Sequence, residues 1–168
     1  MSLRTQERKP SLALGEQTPV LLPRDTYDSA REAWPGVALE REALAAFVDL
    51  HADAVESREV RLRHTPPNVK DLFLACACLH GDPKANSYLE SMVAQEASTV
   101  ARCVAGPPDL APEVRRQLRR QLLTPETGVP KLARYGGGSP LSRWIRMAAL
   151  RLALSLRSSL GRPSGPKP

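Results

Sequence analysis

The stretch YGGGSPLSRWIRMAALRLALSLR, Tyr135–Arg157, decides the fold class. Three glycines make a turn, Ser139 suits an N-cap, and Pro140 suits a first helical position because its missing N–H would have no intrahelical partner there. Leu141, Trp144, Ile145, Ala148, Leu152 and Leu156 then share one broad helical face, with Arg143, Arg146 and Arg157 roughly opposite. Leu150 and Leu154 lie on the arginine side, so the helix is apolar nearly all round and calls for a second contact surface. It contains no acid. Such a helix packs against its own domain while offering cations to an anionic partner.

Working outward, charge is unevenly divided. Residues 1–113 carry 12 Lys/Arg against 17 Asp/Glu, and residues 114–168 carry 12 against one, Glu126. The basic surface is therefore local, and it draws phosphate backbones. Lys131, Arg134, Arg143, Arg146, Arg151 and Arg157 are the candidate DNA-binding residues. Arg115, Arg116, Arg119 and Arg120 form a second basic stripe, opposite the apolar stripe Val114, Leu118 and Leu122. With no acid at i+4, that stripe repels itself unless a partner offsets it.

The rest of the chain reads as helices separated by Gly/Pro punctuation. A helix follows Trp34-Pro35-Gly36, with Leu39, Ala43, Leu44, Phe47, Val48, His51 and Val55 at helical spacing. Pro66-Pro67 ends that region, and Asn68 caps a second helix that buries Leu72, Phe73, Cys76 and Leu79. Gly81 closes it, and Asp82-Pro83 starts a third that runs to about Ala105. Gly106-Pro107-Pro108 stops the third, and a fourth runs from Asp109 or Ala111 through Leu123. With only two Trp, three Tyr and two Phe, the core rests on Leu, Ala and Val. The expected fold is all-α, a compact bundle of about five helices over 34–160, with a flexible arm at 1–33 and a disordered tail at 161–168.

Several chemistries are set aside. Cys76, Cys78 and His80 lack a CxxC partner, and positions two apart on a helix point to different faces, so the thiols read as small buried groups rather than a zinc site. No Lys-Ser/Thr follows Gly136–Gly138 and no strand precedes it, which makes it a turn rather than a phosphate cradle. His51, His64 and His80 have no recurring Asp, Ser or Cys around them; neither an enzyme nor a cofactor is expected. Trp144 reads as a core anchor. Three cysteines, and no apolar run long enough for a signal peptide or membrane span, point to the cytoplasm. Arginines scattered among Leu150 and Leu154 leave no clean polar face for a membrane surface.

The run Asp71–Asp82, DLFLACACLHGD, then the arginine-rich helix, then Gly138-Ser139-Pro140-Leu141-Ser142-Arg143-Trp144-Ile145-Arg146-Met147-Ala148, resembles region 2 of extracytoplasmic-function-type members of the sigma-70 family. Leu141 stands where those proteins usually carry Phe. The resemblance implies an all-helical domain that binds promoter DNA and core RNA polymerase at transcription initiation, with no catalysis. It places polymerase contacts at Glu113, Arg115, Arg116, Gln117, Arg119 and Arg120, with Arg116 and Gln117 where the family prefers Gln and Glu. Arg151 and Ser155 stand where Asn and Asp are common, which suits phosphates better than bases. Nothing after Arg157 suggests the family's second, helix-turn-helix domain. The alternative expectation is a protein-interaction module that binds polymerase, or a sigma or anti-sigma regulatory protein, without touching DNA.

Overall fold

Leu72 through Cys78 are seven consecutive buried residues of one helix. A helix without a polar face must be surrounded, and this one is the centre of the molecule. The computed structural model describes residues 22–51, 67–124 and 128–160. Among them the regular structure is all helical: α1 (Arg24–Glu32), α2 (Arg41–His51), α3 (Val69–Leu79), α4 (Pro83–Cys103), α5 (Leu110–Leu123), a 3-10 turn (Lys131–Arg134) and α6 (Leu141–Leu160). Around α3 pack α1, α2, α4 and the 3-10 turn, and α4, α5 and α6 pack on one another. The burial of α3 exceeds the stripe expected from periodicity, because Leu74, Ala75, Ala77 and Cys78 are covered as well.

The ordered fold starts earlier than the boundary at residue 34 suggested by the sequence. Helix α1 occupies residues placed in the arm; Ala30 and Leu22 are buried, the Tyr27 ring lies 6.0 Å from Phe73, and Tyr27 Oη donates to the Leu39 carbonyl at 2.6 Å. Its sequence, RDTYDSARE, offers too few apolar residues to mark a helix, so tertiary contacts hold it rather than propensity. Residues 1–21, Val55, His64, Pro66, Glu126 and the tail at 161–168 lie outside the described residues.

Where glycine and proline punctuate the chain, the local physics follows the sequence. The α3–α4 corner is a Schellman motif: Asp82 N donates to Ala77 O and Gly81 N to Cys78 O, both at 3.0 Å, with Gly81 at φ +81°. Asp82 then caps α4, its Oδ1 accepting from Ala85 N at 2.7 Å ahead of Pro83. At the far end of α4 the same motif recurs with Gly106 N to Ala101 O and Ala105 N to Arg102 O. Here the left-handed residue is Ala105, at φ 49°, not Gly106. Gly106 serves packing instead, since a Cβ there would sit 2.1 Å from the Leu110 side chain. Among the described residues, no helix is long and apolar enough to cross a membrane.

Cys76 and Cys78 are buried and Cys103 is exposed. Burial pushes the Cys76 thiol from 9.0 up to about 11. Burial, with the Asp82 charge second, pushes Cys78 to about 12. A thiol reagent at pH 8 will therefore titrate Cys103 rapidly in the folded protein and the other two only on unfolding. The raised values carry a sign. Above pH 9.0 the unfolded chain loses these protons first, so stability falls between pH 9.0 and about 12. Urea midpoints measured across that range check it; a flat profile would contradict it.

Candidate nucleic-acid interface

The loop that launches α6 is fixed from outside. Tyr135 is buried, its Oη donates to the Ser139 carbonyl at 2.6 Å, and its ring meets Trp144 edge-on at 5.6 Å between centroids. Burial, and secondarily the charge of Asp71, hold the Tyr135 phenol above its usual range. Gly137 turns the chain at φ +73°. Its carbonyl accepts from Asn68 Nδ2 at 2.8 Å. The His51 ring nitrogens lie 2.9 Å from the Phe47 carbonyl and 2.8 Å from that of Ala133, tying the end of α2 to the 3-10 turn. Leu132, fully buried, anchors that turn in the core.

Ser139 is not the cap of α6. The helix begins at Leu141, and the Leu141 amide donates to Asp71 Oδ2 at 2.8 Å, a carboxylate from the first turn of α3. Asn68 likewise stands at the N-cap position of α3 but spends its side-chain amide on Gly137 rather than on its own helix. A single carboxylate thus lies at the positive ends of two helices. These positioning residues, His51, Asn68 and Asp71, carry no local sequence signal for the role. Each partner is 69 to 82 residues away.

Between the 3-10 turn, the end of α5 and the outer flank of α6 runs a groove of ≈ 640 Å³. Lys131, Arg134, Arg143 and Arg151 line it, with Gln121, Ser139 and Ser155 among them and Trp144, Met147, Ala148 and Leu152 as its apolar part. No carboxylate is among the described residues that line it. Lys131 Nζ donates to Gln121 Oε1 at 2.8 Å, which sets the cation over the rim. Trp144 is half-buried, anchored on Tyr135 as expected of a core residue yet with part of its surface in the groove. Met147, 45% exposed, widens the apolar strip. Four cations around an apolar patch can hold a phosphodiester backbone while the apolar surface covers a base or sugar.

The two remaining candidates do not join this groove. Arg146 forms a two-point pair with Glu96 of α4, Nε to Oε2 at 2.6 Å and Nη2 to Oε1 at 3.1 Å. Glu96 is only 3% exposed. Its hydrogen bonds push the guanidinium further above its normal range. Arg157 Nη1 donates to the Val104 carbonyl at 2.7 Å, satisfying an orphan acceptor at the C-terminal end of α4. Both arginines tie α6 to α4, although the Arg146 side chain remains 53% exposed.

The stripe on α5 also departs from expectation, because acids do relieve it. Glu90 of α4 accepts from Arg115 at 2.5 and 2.8 Å and pairs with Arg119 at 3.0 Å. Glu113 accepts from Arg116 at 2.6 and 2.9 Å and from Gln117. The Arg116 hydrogen bond is the main reason its carboxyl is held down at about 2. Arg120 is exposed on the same helix. Among the described residues, no group of His, Cys, Asp and Glu could hold a metal ion.

No protein-family model, curated protein or solved structure matches the chain.

Two substitutions separate the roles of these residues. Asp71→Ala removes the acceptor for Leu141 N and will cost about 1 kcal/mol or more in urea unfolding, with Asp71→Asn recovering part of the loss. Arg146→Ala leaves Glu96 buried without its partner and will lower the urea midpoint. Arg143→Ala, in the groove, will stay within about 0.5 kcal/mol. Equal effects of Arg143→Ala and Arg146→Ala on unfolding would contradict this division.

Proposed function

We propose that this protein is a sigma-factor-like, DNA-binding transcription regulator that acts in the cytoplasm with bacterial RNA polymerase at initiation. The observation that carries the reading is the convergence of Lys131, Arg134, Arg143 and Arg151 on one groove without an opposing carboxylate among its described lining residues. The resemblance of Asp71–Asp82 and Gly138–Ala148 to sigma region 2 supports it further, since the groove lies on the helix that the resemblance assigns to promoter DNA. Binding rests on phosphate contacts, with Trp144 and Met147 covering the apolar edge of the strand. The role is recognition rather than catalysis.

A second reading has its own support. The Arg115, Arg116 and Arg119 side chains are held in place by Glu90 and Glu113, which suits a protein-interaction module that binds polymerase or a sigma or anti-sigma partner without DNA contact.

Fluorescence anisotropy with single- and double-stranded promoter fragments across a salt series separates the two. Four phosphate contacts give a slope of log affinity against log salt of about −3 on a single strand. Arg143→Ala with Arg151→Ala will roughly halve that slope, whereas Arg146→Ala will leave it unchanged. Absent or salt-insensitive binding would remove the DNA reading.

A further inference from the structure

On the other flank of α5 lies a second groove of ≈ 540 Å³ between α4 and α5. Its small residues, Ala94, Ser98, Ala111 and Pro112, leave the interhelical furrow open. Arg115, Arg116 and Arg119 wall it, with Glu90 between them. Gln121, which lines the first groove, is turned about 240° from Arg115 around the helix, so the two grooves do not overlap.

We propose that the α4–α5 groove docks a carboxylate-rich segment of a partner protein. Glu90 fixes Arg115 and Arg119, and Glu113 fixes Arg116, so each guanidinium is held in place while most of its donors remain outward: the three side chains are 51, 61 and 65% exposed. Preorganised guanidiniums bind carboxylates in the two-point geometry that lysines cannot offer, and fixing them beforehand lowers the entropy lost on binding. The interspersed acid disfavours a polyanion such as nucleic acid, whose closely spaced phosphates would meet Glu90. A peptide that alternates carboxylates with small apolar residues meets the arginines with the former and Ala94, Ala111 and Pro112 with the latter. The proposal is independent of DNA binding in the first groove.

The test uses isotopically labelled full-length chain carrying Arg143→Ala and Arg151→Ala, which weakens the competing groove. The probes are a short peptide alternating Glu and Ala, its Gln-for-Glu counterpart, and oligothymidylate. Amide shifts should centre on Ala94, Ser98, Ala111 and Arg115–Arg119, with the Glu peptide about tenfold tighter than the Gln one. Adding Arg115→Ala and Arg119→Ala should abolish the shifts, and Glu90→Gln, which releases Arg115 and Arg119 from their fixed positions, should weaken binding severalfold. Equal affinity for the two peptides, shifts centred elsewhere, or oligothymidylate producing the same shifts would overturn the proposal. Oligothymidylate binding to the chain without those substitutions reports on the first groove alone, so the two readings fail separately.

Discussion

The hydrogen bond from the Leu141 amide to the Asp71 carboxylate is the constraint on which the rest of the molecule is arranged. Helix α6 has no capping residue of its own that could take this amide, and an orphaned amide away from water costs about 1 to 3 kcal/mol. The acceptor comes from α3, the most buried helix, whose position is set by helices packed all around it. The start of α6 is therefore referenced to the core rather than to its loop. Asn68 on Gly137, His51 on Ala133 and Tyr135 on Ser139 extend that reference along the loop. The cationic groove inherits its shape from these contacts, since Lys131, Arg134 and Arg143 all lie within or beside the segment they fix.

The arginines of α6 divide by what each side chain reaches. Arg146 and Arg157 are eleven residues apart, about three turns, which brings them within about 20° of each other and toward α4. Arg143 and Arg151 fall on the flank that faces the 3-10 turn. In a one-dimensional sequence all four look alike. What separates them is Glu96, which pairs with Arg146, and the Val104 carbonyl, which accepts from Arg157.

Legibility followed the same line between local and distant causes. The α3–α4 corner was readable because Gly81 supplies a positive φ and Asp82-Pro83 supplies both cap and first helical residue, all within three positions. The stripes Val114, Leu118, Leu122 and Leu44, Phe47, Val48 were readable because helical periodicity is local. Helix α1 was not, because its stability comes from Tyr27 on Phe73 and Leu39 rather than from its own composition. Of the groove, the cationic residue types were visible, because a run of arginines without acids is a local pattern. The residues that aim it, His51, Asn68 and Asp71, were not, because a capping acid seventy residues from its helix leaves no pattern.

The charge partition along the sequence also takes on a different meaning in three dimensions. Residues 114–168 hold twelve cations and a single acid, which reads as one basic face. Folding brings Glu90 and Glu96 from the acidic part of the chain against Arg115, Arg119 and Arg146, and offsets part of that surplus locally. The surplus that remains concentrated lies in the groove beside Trp144, where no carboxylate lines the wall among the described residues. An unopposed cluster exerts a field that extends over about a Debye length and speeds encounter with a polyanion; a cluster interleaved with acids has a field that cancels at distance and discriminates only at contact. The two flanks of α5 therefore differ in kind, one suited to attracting a charged polymer and the other to selecting a patterned surface.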